Sequence, residues 1–115
     1  MAKTVFIGHP ISGDVTRNIQ SVLAICRLVH TPNIIPVAPY LVSLQYLDDT
    51  VVEDCRLGIE ANCECFHRGY VDELWLYGNQ ISPGMHEEIR LARRLGIPVF
   101  AKTTHTALAL RKLAP

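Results

Sequence analysis

The chain has 115 residues, 49% of them apolar and 19% charged, with seven Gly and seven Pro. At roughly 100–200 residues per domain this is one domain, residues 1–115, able to bury a core and not disordered by composition. Eleven Lys and Arg balance eleven Asp and Glu. A basic surplus of the kind a nucleic-acid polymer selects for is therefore missing. No apolar run approaches the ~18 residues that span a bilayer, and Met1–Phe6 runs straight into a strand-like segment rather than a leader. The expectation is a cytoplasmic protein with no membrane partner.

In chain order, Thr4–Gly8 is a short β-rich run, followed by a turn-rich segment, His9-Pro10-Ile11-Ser12-Gly13-Asp14. Apolar residues at 19, 22, 23, 26 and 29 predict a helix from Val15 to His30, with Asp14 as its N-cap. Thr31-Pro32-Asn33 breaks it. Ile34–Ala38 reads as a second strand, and Pro36 places it at a sheet edge. Pro39–Asp49 is a loop or short helical stretch. A second helix is expected over Thr50–His67, with Val52, Cys55, Ile59, Cys63 and Phe66 on one side. Asp72–Gly78 is a third strand. Ser82 as N-cap and Pro83 at the first helical position start a helix that lasts to about Leu95 and is closed by Gly96. Ile97–Ala101 is a fourth strand and Thr104–Leu113 a last helix.

This alternation implies an α/β, Rossmann/flavodoxin-like three-layer sandwich with a parallel sheet of four to five strands. Ligands in such sheets bind beyond the carboxyl ends of the strands, at the switch point. The loops at 8–14, 38–49 and 78–84 should gather there.

The cysteines at 26, 55, 63 and 65 suggest no disulfide framework. Cys63 and Cys65 point to different helix faces, a spacing that suits neither a zinc pair nor a redox motif. They read as buried small apolar residues. The five histidines show no metal-ligand spacing either, so no metal site is expected.

The sharpest chemical signal lies in the helix after the third strand. With Met85 as zero and about 100° per residue, Ile89, Ala92 and Leu95 form an apolar stripe, and Glu88 falls at about 300°, inside it. Glu87 falls at about 200°, on the wet face with Arg90 and Arg94. A carboxylate turned inward is costly unless it is paired, hydrogen-bonded or in use. The Gly8–Asp14 loop has the strand–turn–helix layout that binds anions through peptide N–H groups, without a GxGxxG or Walker motif. Ser82 is a cap that can also face a ligand, and Gly84 allows close backbone approach. Asp48, Asp49 and Asp54 read first as solvated turn residues. Arg56 falls beside its helix's apolar stripe, where it could reach an anion or Glu88.

Taken together, Val5-Phe6-Ile7-Gly8-His9-Pro10-Ile11-Ser12-Gly13-Asp14 and Asp72-Glu73-Leu74-Trp75-Leu76-Tyr77-Gly78, continuing through Ile81-Ser82-Pro83-Gly84-Met85-His86-Glu87-Glu88-Ile89, resemble the nucleoside 2-deoxyribosyltransferase superfamily. That superfamily includes deoxynucleoside 5′-monophosphate N-glycosidases, and the closest likeness is to its small uncharacterised bacterial and phage members. The likeness spans about residues 4–101. Its Gly-x-x-x-Glu spacing falls on Gly84 and Glu88, which implies that Glu88 is a nucleophile. It also implies a sugar or 5′-phosphate pocket lined by Gly8, His9, Pro10, Ser12 and Gly13, and a phosphate contact at Ser82.

The implied chemistry is N-glycosidic cleavage through a glycosyl-enzyme ester, with no cofactor, on a small-molecule nucleoside or nucleotide, in a homo-oligomer. The chain departs from the pattern in two places. Phe6 stands where the enzymes carry a tyrosine. The aspartate that contacts the base in the enzymes falls by count near Glu64, off the buried face, with Asp49 as another candidate. These departures favour the alternative, a non-catalytic nucleotide- or nucleotide-sugar-binding module on the same scaffold. A structural protein whose pocket has lapsed is a third reading.

Overall fold

The computed structural model describes residues 1–113. Its elements, in order, are β1 (Lys3–Gly8), α1 (Val15–Val29), β2 (Ile34–Val37), α2 (Tyr40–Ser43), α3 (Val52–His67), β3 (Glu73–Leu76), α4 (Pro83–Arg94), β4 (Val99–Ala101) and α5 (Thr104–Lys112). The four strands form one sheet in the order β2-β1-β3-β4, and every neighbouring pair is parallel. This is a Rossmann/flavodoxin-like α/β sandwich, with α1 packed on β2, α4 on β3 and on α3, and α5 on β4.

The two central strands are apolar runs rather than alternations, as expected when helices cover both faces of a sheet. Val5, Phe6 and Ile7 of β1 and Leu74 and Leu76 of β3 have no exposed surface. Phe6 also stacks on Phe66 of α3, with ring centroids 4.9 Å apart. β2 carries Pro36 and lies at the edge, where the missing N–H costs no ladder bond.

Both helix starts read from the sequence are built as expected. The Asp14 carboxylate accepts from the Arg17 N–H at 3.2 Å. The Ser82 hydroxyl accepts from the Met85 N–H at 3.3 Å, with Pro83 next in line.

Several boundaries move inward for local reasons. β3 ends at Leu76 because Gly78 adopts φ +96°. Ile97 is not yet in β4, because its N–H closes α4 on the Ala92 carbonyl at 2.8 Å. Thr50 lies outside α3, in a turn held by its N–H and hydroxyl on the Asp48 carboxylate.

Burial expectations fail at Leu95, the C-cap of α4, which is 44% exposed although the wheel put it in the apolar stripe, and at two further places. Val52 is 85% exposed, because the first turn of α3 lies beside the 48–51 turn, not over the sheet. The four cysteines, expected to be buried, are free thiols of intermediate exposure. Among the described residues, no helix is long and apolar enough to cross a membrane.

Candidate functional site

The strand order reverses between β1 and β3, so the loops that leave their carboxyl ends diverge and open a crevice. Gly8 pairs with Leu76 at that end, and the Tyr77 N–H continues the ladder onto the Gly8 carbonyl at 2.8 Å. Two glycines set how closely the walls meet. A methyl group on Gly78 would stand 2.5 Å from Cδ of Pro10, so the β1–α1 and β3–α4 loops touch there without room for a side chain. A methyl group on Gly8 would stand 3.0 Å from Leu76 Cδ2 and 3.4 Å from Glu88 Oε1. Gly8 is therefore the floor against which Glu88 rests.

The crevice encloses a cavity of about 260 Å³. The β1–α1 loop contributes His9, Pro10, Ile11 and Ser12. α2 and the segment after it contribute Tyr40, Ser43, Leu44, Leu47 and Asp49, and α3 adds Asp54, Cys55, Gly58, Ile59 and Asn62. Gln80 comes from the β3–α4 loop and Ser82 to Met85 from the start of α4, with Glu88 one turn deeper. All three loops expected to gather here contribute to it.

Glu88 is 6% exposed and lines this cavity, among Met85, Ile89 and Ala92, which are almost wholly buried. Its Oε1 has no hydrogen-bond partner among the described residues. Burial alone pushes its carboxyl up to about 8, because the low-dielectric wall disfavours the charged form. Glu87, one residue earlier, is only half-buried and pairs with Arg90 at 3.3 Å. The wheel count separated these two residues from sequence alone, and the structure keeps them apart.

Several other polar groups around the cavity are held by hydrogen bonds within the chain. His9 is buried; its Nδ1 lies 2.6 Å from the Pro10 carbonyl and its Nε2 3.0 Å from the Ser21 hydroxyl. A carbonyl can only accept, so Nδ1 carries the proton. The Tyr40 hydroxyl donates to the Ile7 carbonyl at 2.5 Å. Its ionisation is pushed well up, first by burial and then by the nearby Glu88. The Ser12 hydroxyl donates to Asp49 at 2.7 Å and ties the first loop to the second. The Asp54 carboxylate accepts from the Asp48 N–H at 2.8 Å.

Among the residues singled out from sequence, the cavity collects His9, Pro10, Ser12, Asp49, Ser82, Gly84 and Glu88. Gly8 lies beneath it. Gly13, at φ +100°, shapes the loop but has nothing within contact range of its Cβ position. Arg56 is a correction: it does not reach Glu88 or the cavity. Its guanidinium is 64% exposed and binds Glu53 at 2.5 Å, with Glu60 at 4.0 Å. Both partners lie on its own helix, one turn to either side, and this outer face holds it. Glu64 is also outside, paired with Arg68 at 3.0 Å.

Tyr40, Asn62 and Gln80 were not singled out, and Cys55 was read only as a small apolar residue. For Asn62 a signal existed: it follows Cys55 by seven and Ile59 by three, so it shares their helix face. Tyr40 gave none, because its partner Ile7 lies 33 residues away.

No curated protein and no solved structure matches the chain. One family model does, described as a domain of unknown function, DUF7768, and it covers residues 3–102, nearly the whole of the fold described above. The chain therefore belongs to that family.

Proposed function

We propose that this protein cleaves the N-glycosidic bond of a nucleoside or nucleotide, with Glu88 as the nucleophile. One observation carries the reading: a buried carboxyl group with an unpartnered oxygen lines a cavity at the switch point of the sheet. A structural carboxylate in such a place would be paired or hydrogen-bonded. The resemblance to the nucleoside 2-deoxyribosyltransferase superfamily supports the same residue.

In this mechanism the Glu88 carboxylate attacks C1′ and the base departs. The ester that forms is then opened by water or by a second base. Positive charge develops at C1′ in the transition state, and a carboxylate in a desolvated wall stabilises it more than one in water would. Ser12 orients Asp49 at the cavity, where it can face the departing base.

Glu88 attacks only when ionised. With its carboxyl near 8 in the free protein, kcat/KM should rise about tenfold per pH unit below that value and level off above it. Chromatographic assay of free base from mixed deoxynucleosides and their monophosphates, across this range, tests the proposal. A rate that falls above pH 8 would make Glu88 a proton donor instead of the nucleophile.

A non-catalytic nucleotide-binding module is the second reading. It is favoured by the engagement of His9, Tyr40 and Asp49 in internal hydrogen bonds. Calorimetric binding of nucleotides with no base released would select it. The proposal includes a homo-oligomer acting in the cytoplasm. Val42 and Tyr46, 63% and 73% exposed, lie beside the cavity-lining Ser43 and Leu44 and offer apolar surface to a second copy. Sedimentation equilibrium reads the assembly state.

A further inference from the structure

The cavity wall is acidic without a counter-charge. Asp49, Asp54 and Glu88 line it, and none of its lining residues is Lys or Arg. Arg56, the cation expected there from sequence, is held on the outside by Glu53. The start of α4 faces the cavity and brings about half a positive charge, less than the carboxylates opposite it. Acidic residues alone would signify little, since solvated acids are common on surfaces. The unpartnered Glu88 Oε1 is a separate observation: a residue 94% buried lines the cavity with one carboxyl oxygen that has no hydrogen-bond partner among the described residues.

A second feature is the shortage of proton donors. A neutral base is a poor leaving group unless a general acid protonates it. Around this cavity the His9 ring is occupied at both nitrogens. The Tyr40 hydroxyl is given to Ile7, and Asp49 and Asp54 act as acceptors. The Cys55 thiol remains, a weak donor, and Glu88 cannot give a proton to the base while it serves as the nucleophile.

We infer that this site selects N-glycosides whose base carries a positive charge and whose sugar carries no phosphate. The inference rests on the glycosidase reading and specifies its substrate class. A cationic base meets attraction from the Asp49 and Asp54 carboxylates, and from Glu88 once it is ionised, whereas a 5′-phosphate meets repulsion with no basic side chain to offset it. The chemistry also fits the missing acid. Glu88 forms the C1′–O bond as the C1′–N bond breaks. The bonding pair returns to the ring nitrogen and cancels the positive charge, so the base leaves neutral without taking a proton. Water then opens the ester, giving the free sugar, the Glu88 carboxylate and one proton released to solvent.

The test compares 7-methyl-2′-deoxyguanosine, 2′-deoxyguanosine and 2′-deoxyguanosine 5′-monophosphate at one pH of about 6, where the methylated base keeps its N1 proton and its positive charge, with spontaneous base loss subtracted from protein-free samples. The expected result is a kcat/KM at least about tenfold higher for the methylated cation than for its neutral parent, with the monophosphate slowest. Equal or faster release from the neutral nucleoside or the monophosphate overturns the inference and leaves the glycosidase reading intact. Absence of release from all three overturns the glycosidase reading, and calorimetry then decides the ligand class. The inference survives if the methylated nucleoside binds at least about tenfold tighter than its parent and the preference disappears when Asp49→Asn and Asp54→Asn are combined. Equal binding, or none, overturns it.

Discussion

Two places at the carboxyl end of the sheet each bury a polar side chain, and they treat it differently. Beside β4, Thr106 has no exposed surface, and its hydroxyl lies 3.3 Å from the Leu76 carbonyl and 3.1 Å from that of Thr103. The Thr103 hydroxyl completes the group on the Gly78 carbonyl at 2.8 Å. Every oxygen there has a partner within the chain, so the network needs nothing from outside. At the crevice between β1 and β3, Glu88 is nearly as buried, yet Oε1 has no partner. A satisfied buried group contributes to stability, whereas an unsatisfied one opposes it. Burial therefore does not separate the structural residue from the functional one; hydrogen-bond accounting does.

Substitution at Glu88 should break the comparison most sharply. Glu88→Gln keeps shape and removes the nucleophile, so base release should fall at least about a thousandfold while the circular dichroism spectrum stays unchanged. Undiminished turnover would remove this residue from the chemistry.

The next effect is on stability against pH. Between about 4.5 and about 8 the folded protein keeps a proton on Glu88 that the unfolded chain has lost. Glu88 should therefore lower stability by about 1.4 kcal/mol per pH unit as pH rises through that window, with no further loss above it. In denaturant titrations Glu88→Gln should lack this component and be the more stable protein at pH 8. A wild-type profile that rises from pH 5 to 8 and matches that of the variant would contradict the burial argument.

On the β4 side, Thr106→Val keeps shape but strips the network of its hydroxyl. It should cost about 1–2 kcal/mol by leaving buried carbonyl and hydroxyl groups short of partners. Base release by the folded fraction should not change. The smallest effect should come from Arg56→Ala. This arginine sits in exposed pairs on one helix, and its loss should change stability by no more than about 0.5 kcal/mol, with KM untouched. A large KM effect would return Arg56 to the cavity.

Much of the fold was legible because its signals are local. The spacing of apolar residues, Asp14 and Ser82 as caps, Pro36 at an edge strand and Gly96 after a helix each act within a turn or two of chain. The inward turn of Glu88 was equally readable, because a helix converts sequence spacing into direction. Arg56 misled for the complementary reason. A wheel places it near the buried stripe, but Glu53 and Glu60 on the same helix hold its flexible side chain outside. Tyr40 and the Ser12–Asp49 link were unreadable, since their partners lie 33 and 37 residues away.

The sequence by itself determined the order of strands and helices, the parallel layering and the face on which Glu88 sits, because periodicity and capping are properties of neighbouring residues. Only the tertiary structure decided that Glu88 lacks a partner, that its cavity has no basic side chain, and that His9, Tyr40 and Asp49 hold other groups. Those properties depend on which distant segments the sheet brings together at the reversal of its strand order, and no local spacing specifies them.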